Sequence, residues 1–236
     1  MIIGTVVNAA AIVAGGVIGL TIARLSRGRE QSDSKILESV FKAMGLSVAV
    51  LGIKMALKPH DFLSVVVCLS VGTLIGELLN IEGRVEQFGR WLKSLTGSSS
   101  GTFVDGFVAT SILFCVGATA ILGSFEDGLK NDPTLLYTKS IFDGISAIIF
   151  SSTMGAGVLF SAIPILIYQG ILSFGASQLS FLMANDIYMN GISVAGGILV
   201  IAIGLNIMGV TKLRVGNMLP ALLLIPIWDA VVIYFL

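Results

Sequence analysis

Charged residues are scarce in this sequence. Only 12% of its 236 residues are Asp, Glu, Lys or Arg, and the 14 acidic and 14 basic side chains leave a net charge of zero. Soluble domains carry about 25% charged residues, and a nucleic-acid surface needs clustered Lys and Arg. The composition therefore excludes an ordinary soluble domain, and we expect no nucleic-acid partner.

Residue types that bind metals or perform catalysis are also few. His60 is the single histidine, and the two cysteines, Cys68 and Cys115, lie apart inside apolar runs. A zinc site needs more ligands than these, so we expect buried thiols. The sequence contains no Gly-x-Ser-x-Gly, no His-Glu-x-x-His and no glycine-rich phosphate loop. We expect no enzyme, no bound metal and no cofactor, with a coupling ion, Na⁺ or H⁺, left open.

Long apolar runs make up most of the sequence. Hydrophobic residues make up 55% of the chain, and the mean hydropathy is +0.97. A membrane-spanning helix needs about 20 residues. The sequence predicts an all-α polytopic membrane protein, a single integral membrane domain over 1–236, with about eight transmembrane helices. These are placed near 2–23, 39–57, 62–79, 102–123, 134–153, 155–174, 189–210 and 217–236.

The positions of the basic residues predict an orientation, because cytoplasmic loops are enriched in Lys and Arg. No basic residue precedes the first apolar run, which favours an uncleaved first span. Lys58 and Lys130 fall on one side of the eight-span layout, while Lys54 and Lys139 fall within spans. We therefore expect both termini outside, with the remaining basic residues inside: Arg24, Arg27, Arg29, Lys35, Lys42, Arg84, Arg90, Lys93, Lys212 and Arg214.

One segment between the third and fourth spans is amphipathic. Over 80–95 the apolar residues, from Ile81 to Leu95, share one helical face, and the charged residues lie elsewhere. This spacing predicts a helix lying on the inner membrane surface. A flexible linker over 96–101, rich in Gly and Ser, follows it. A plain connector and a regulatory or partner-binding helix both fit the pattern.

Two glycine pairs suggest an internal repeat. Gly45 and Gly52 can be aligned with Gly197 and Gly204, with a polar residue two positions after the second glycine of each pair. The alignment matches helices 1–3 to helices 6–8. In the eight-span layout the two segments run in opposite directions, so the repeat would be inverted, which is typical of secondary transporters.

Polar residues concentrate in the fifth span. Lys139 and Asp143 are four residues apart and share one helical face, with Ser140 on its flank. Ionisable groups in spans usually face a bundle interior or a water-filled path. The pair is either an ion or proton site or a neutralised pair that allows a polar helix to pack. We also predict pathway residues at Ser124, Gln169 and Asn206, and an acidic outer mouth at Glu126 and Asp127.

The central stretch resembles a known family. The run Leu113-Phe-Cys-Val-Gly-Ala-Thr-Ala-Ile-Leu-Gly-Ser124 is followed by Asp127-Gly-Leu129, Lys139-Ser140, Asp143-Gly144 and Tyr168-Gln-Gly170. With Gly4-Thr-x-x-Asn8 and Gly204-Leu-Asn206, these residues resemble the bacterial inner-membrane family catalogued as domain of unknown function 554. The resemblance covers nearly the whole chain. It implies a multi-pass protein of the bacterial cytoplasmic (inner) membrane that is often described as a transporter.

Two functions are compatible with these observations. The first is a secondary transporter or permease for a small solute or ion, working by alternating access. The alternative is a non-transporting membrane scaffold or regulatory partner protein, whose function would lie in the surface helix over 80–95. The expected partners are the lipid bilayer and a small solute or ion, and the sequence leaves a homodimer open.

Overall fold

The computed structural model describes residues 2–26, 33–98, 100–178 and 186–235. Arg27 and Arg29, used above, and Ser99 of the predicted linker over 96–101 lie outside these ranges. Within them the chain forms α-helices and no strand, together with a 3₁₀ helix at Val215–Met218. The α-helices are α1 (Ile3–Ser26), α2 (Asp33–Ala56), α3 (Phe62–Leu79), α4 (Ile81–Thr96), α5 (Phe103–Cys115), α6 (Ala118–Lys130), α7 (Thr134–Met154), α8 (Gly157–Phe160), α9 (Ala162–Phe174), α10 (Asp186–Ile207) and α11 (Ala221–Phe235).

The all-helical membrane class is confirmed. Five segments of the described chain are long and apolar enough to cross a membrane, and α5 with α6 makes a sixth if this bent pair is one span. The predicted helices at 39–57 and 134–153 form α2 and α7, which are not among these segments. The count of eight spans and the inverted repeat stay predictions. The five segments are Ile3–Leu25, Phe62–Leu79, Gly157–Phe174, Asp186–Ile207 and Val215–Ile233.

Three of the predicted helices are interrupted. The segment 102–123 is divided into α5 and α6, whose axes differ by 61°. The segment 155–174 is divided into α8 and α9 just before Pro164, which has no amide hydrogen to donate to the carbonyl four residues earlier. The segment 217–236 begins instead as the 3₁₀ helix and continues as α11 after Pro220.

The start and end of α7 are set by local backbone chemistry. The Asp132 side chain accepts a hydrogen bond from the backbone nitrogen of Thr134 at 3.0 Å. Hydrogen bonding by Thr134 lowers the pKa of the Asp132 carboxyl, because it stabilises the charged form. At the other end Gly155 has a φ of +84°, a conformation that favours glycine and stops the helix.

The chain divides into two compact units. Unit 1 comprises Met1–Val40, Val85–Cys115 and Thr119–Gln178, and unit 2 comprises Phe41–Arg84, Val116–Ala118 and Leu179–Leu236. Both cysteines are free thiols: Cys68 in unit 2 is buried, and Cys115 in unit 1 is partly buried.

Unit 1 is built around the contact between α1 and α7. Gly15 and Gly19 of α1 lie against the backbone carbonyls of Gly144 and Ile148, leaving no room for a side chain. The hydroxyl of Ser151 donates to the Gly16 carbonyl at 2.9 Å. Small residues let two helices approach closely, and this is the main source of association in a membrane. A cluster of buried apolar residues, Leu92, Phe103 and Phe107, joins α4 to α5.

Unit 2 is built around α10, most of which is buried. Gly45 of α2 lies against the backbone of Gly204, and Gly52 lies against that of Gly197. Where α3 meets the 3₁₀ helix, Gly76 packs on the Asn217 backbone. At the same end, Arg214 donates to the Glu77 carboxylate at 2.7 Å, and the Glu82 carboxylate accepts from the Gly216 amide at 2.7 Å. These contacts tie the chain after α10 to α3 and to the start of α4.

Candidate functional site

The charged pair of α7 is buried inside unit 1. Lys139 Nζ contacts Asp143 Oδ2, and the two side chains are 7% and 10% exposed. Four residues make slightly more than one helical turn, so the helix itself brings the two groups together. The Lys139 ammonium also lies 5.9 Å from the centre of the Phe114 ring on α5, within the range of a cation–π interaction. The pair has no net charge.

Asn8 of α1 connects the pair to a third helix. Its Nδ2 donates to Asp143 Oδ2 at 3.0 Å and to Gln169 Oε1 of α9 at 3.3 Å. Asn8 and Gln169 are both fully buried. The cluster therefore consists of Asn8, Lys139, Asp143 and Gln169, which come from α1, α7 and α9. We call these four residues the polar cluster.

Several buried polar atoms in unit 1 lack a hydrogen-bond partner. In the polar cluster these are the acceptor Asn8 Oδ1 and the donor Gln169 Nε2. The hydroxyls of Thr5 on α1 and Ser173 on α9 are also buried and unpartnered. A buried polar atom left unsatisfied costs about 1–3 kcal/mol. Such atoms are rare in folded proteins, and four of the five in the described part of unit 1 lie on α1 and α9, the fifth being the Ser111 hydroxyl of α5.

Open space exists on the same helix. Gly170 follows Gln169 in α9 and is buried. A Cβ atom built on it would meet no atom within 4 Å outside its own helix backbone and chain neighbours. Most other glycines of the packed helices would clash if given a Cβ. A side chain at position 170 of α9 would therefore have open space in front of it.

The two predicted serines bind their own helices. Ser140 donates to the Leu136 carbonyl at 2.6 Å, and Ser124 donates to the Ala120 carbonyl at 2.7 Å. Both are buried. A hydroxyl that donates in this way still has lone pairs to offer as an acceptor. Their role as pathway residues stays a prediction.

The two residues of the predicted acidic mouth differ from one another. Glu126 lies 3.5 Å from Lys130 in a partly exposed pair. Asp127 is only 1% exposed, and its Oδ2 accepts from the Gly4 amide of α1 at 2.9 Å. Gly4 lies in the first turn of α1, where amides have no partner in their own helix. Asp127 therefore caps α1, a position that the sequence pattern did not indicate.

Asn206 lies in unit 2 and is engaged with the loop that follows α10. Its Nδ2 donates to the Leu213 carbonyl at 2.7 Å. Its Oδ1 accepts from the Thr211 hydroxyl at 2.8 Å and from the Leu213 amide at 2.9 Å. These bonds hold the chain up to Leu213 against the end of α10, so the side chain stabilises the loop that begins after Ile207.

Sequence reasoning missed Asn8 as a site residue. In the sequence, Asn8 is distinguished only as part of Gly4-Thr-x-x-Asn8. The available signal was an uncharged amide inside an otherwise apolar first span, where a polar group needs a partner. Thr5, three residues earlier on the same helix, carries the same signal.

Fold and composition define an all-helical membrane protein with a polar cluster inside one of its units. The chain belongs to the family described as Protein of unknown function (DUF554), whose model matches residues 3–230. It is 32% identical over 229 residues to "Uncharacterized membrane protein YdfK" of Bacillus subtilis (strain 168), and 33% identical over 229 residues to "Uncharacterized protein YqgA" of Escherichia coli (strain K12). Each alignment covers 95% of this chain and 94% of the relative. No solved structure matches the chain.

Proposed function

We propose that this protein is a secondary transporter or permease of the bacterial cytoplasmic membrane that moves a small polar solute or ion by alternating access. In this proposal it performs no covalent chemistry, and both termini are outside. The observation that carries the proposal is the polar cluster. Lys139, Asp143, Asn8 and Gln169 are buried together, and two of their polar atoms are left without a partner.

The chemistry of the polar cluster favours a particular class of solute. Because Lys139 and Asp143 neutralise one another, an ion entering the site would add an uncompensated charge in a low-dielectric environment. A neutral or zwitterionic solute adds no net charge. It would offer a donor to Asn8 Oδ1 and an acceptor to Gln169 Nε2, the two atoms that lack partners. We therefore rank small neutral or zwitterionic solutes above inorganic ions.

The glycine pairs of unit 2 support the inverted repeat that alternating access would use. The sequence alignment equates Gly45 with Gly197 and Gly52 with Gly204. In space the partners are exchanged, since Gly45 packs on Gly204 and Gly52 packs on Gly197. A two-fold axis that relates two equivalent segments produces such reciprocal contacts, because each contact has a symmetry-related copy in which the two positions are exchanged. Inverted repeats related in this way occur in many transporters.

Solute flux into liposomes tests the proposal. The purified protein is reconstituted, and stopped-flow light scattering follows vesicle volume after an osmotic step with urea, glycerol, glycine or potassium chloride. We expect the protein to accelerate reswelling for at least one of the first three probes. Asp143→Asn should abolish the acceleration, because it leaves Lys139 without its counter-charge.

The matched control is Thr138→Val, which removes an exposed hydroxyl from the same helix. It should leave flux unchanged. Flux of a probe that is equal in the wild type and in a folded Asp143→Asn variant would remove the polar cluster from the pathway. No acceleration with any of the four probes would favour the non-transporting alternative.

A further inference from the structure

A second buried pair of ionisable groups lies in unit 2. His60 directly precedes the N-cap residue of α3, and Asp229 lies in α11. The His60 Nε2 and Asp229 Oδ1 atoms are 3.4 Å apart, and the two side chains are 3% and 6% exposed. The transport proposal does not use either residue.

Two oxygen atoms face the Nε2 atom of His60. The Ser64 hydroxyl donates to the Asp61 carbonyl at 2.7 Å, so its single hydrogen is already engaged. The same hydroxyl oxygen lies 3.2 Å from His60 Nε2 and faces it as an acceptor. Asp229 Oδ1 is the other acceptor facing this nitrogen. A proton on Nε2 would therefore face two oxygens that can accept it in a hydrogen bond.

The His60 ring packs closely against α10, and one oxygen of the neighbouring Asp229 carboxylate receives no hydrogen bond. A Cβ atom on Gly191 of α10 would lie 2.8 Å from His60 Cε1, so the ring packs directly on that backbone. Asp229 Oδ2 is buried and has no hydrogen-bond partner.

The other titratable groups on the surrounding helices do not replace Asp229 as the counter-charge. Asp61 uses its carboxylate oxygens to cap α3, accepting from the amides of Leu63 and Ser64 at 3.3 and 3.0 Å. Cys68 of α3 and Tyr188 of α10 are buried groups that are neutral near pH 7 in their ordinary state. The remaining charged groups near this end of the unit, Lys54 and Lys58 of the α2 end and Asp186 of α10, are exposed.

We propose that His60 and Asp229 form a proton-binding site that holds one proton between them. With one proton the pair is neutral overall, because an imidazolium ring then lies beside a carboxylate. Loss of that proton leaves a buried carboxylate alone, and a second proton leaves a buried imidazolium alone. Both charged states are disfavoured by burial. This site is independent of any solute that the polar cluster binds.

Nuclear magnetic resonance of the single histidine tests the proposal, because one labelled residue gives one set of ring signals. The protein is labelled with ¹⁵N-histidine, placed in lipid nanodiscs and titrated from pH 5 to pH 9. We expect the wild-type ring to release its proton at a pH at least one unit above that of Asp229→Asn. One unit is the lower end of the shift of about 1–3 units caused by an adjacent opposite charge. The matched control, Asp186→Asn, removes an exposed carboxylate and should leave the titration unchanged.

Ser64→Ala provides a second test that keeps both ionisable groups. Without the accepting hydroxyl, the His60 ring should release its proton at a lower pH than in the wild type, and this shift should be smaller than the shift caused by Asp229→Asn. If Asp229→Asn does not fold, Ser64→Ala is the variant that tests the proposal. The proposal is overturned if the titration of His60 is the same in the wild type and in the folded variant tested. It is also overturned if the wild-type ring changes protonation only together with loss of the helical circular dichroism signal.

Discussion

Asn8 Nδ2 and Asp143 Oδ2 lie 3.0 Å apart, although 135 positions separate them in the sequence. The same nitrogen also donates to Gln169 at 3.3 Å. One amide therefore fixes the relative positions of α1, α7 and α9 at the level of the charged pair. A hydrogen bond to a charged group contributes about 1.5–3 kcal/mol, so this contact is both a structural bond and a part of the candidate site.

Replacing Asn8 should weaken unit 1. Asn8→Ala removes both donated hydrogen bonds and leaves Gln169 Oε1 buried without its donor. We expect the free energy of unfolding to fall by about 2–3 kcal/mol, measured by titration with dodecyl sulfate in mixed micelles. Gln87→Ala removes the same kind of amide from an exposed position of α4 and is expected to change stability by less than about 0.5 kcal/mol. Equal effects of the two variants would contradict the hydrogen bonding described for Asn8.

Neighbouring acidic residues on α6 should respond differently to neutralisation. Asp127→Asn weakens the cap on Gly4 and removes a negative charge at the start of α1. We expect a loss of about 0.5–2 kcal/mol from capping and the helix dipole. Glu126→Gln only breaks a partly exposed pair with Lys130 and should cost at most about 0.5 kcal/mol. The same titration measures both, and a larger effect of Glu126→Gln would show that Asp127 does not act as the cap.

The sequence was informative wherever a signal lay within a few residues. The four-residue spacing of Lys139 and Asp143 is sufficient to place them on one face, and the 18-residue run of α3 was predicted with both ends correct. Contacts such as Asn8 with Asp143 or Gly4 with Asp127 depend on how distant helices pack, which hydropathy does not encode. The small residues of the fourth span are compatible with close helix packing, which we favoured, or with a break such as the one between Cys115 and Ala118. The sequence does not decide between them, because an apolar run that bends has the same composition as one that continues straight.

Close packing of α1 on α7 should make Gly15 intolerant of any side chain. In Gly15→Ala the added methyl group would meet the Gly144 carbonyl. Overpacking of this kind costs about 1–3 kcal/mol. Gly170→Ala is the matched control, because its methyl group would enter open space and alanine favours a helix by up to about 1 kcal/mol. Dodecyl sulfate titration should show a loss for Gly15→Ala and no loss for Gly170→Ala. A loss for Gly170→Ala would contradict the open space at this position of α9.

The charged pair of α7 allows stability and function to be separated. Lys139→Met or Asp143→Leu alone leaves the other charge buried and unpaired, which should cost about 3–5 kcal/mol. The double variant Lys139→Met with Asp143→Leu removes both charges and fills their volume, so its stability should return to within about 1 kcal/mol of the wild type. Dodecyl sulfate titration measures all three. If the polar cluster binds a solute, the double variant is folded and stable but gives no acceleration of solute flux in liposomes. A stable double variant with wild-type flux would mean that the pair serves only to pack a polar helix inside unit 1.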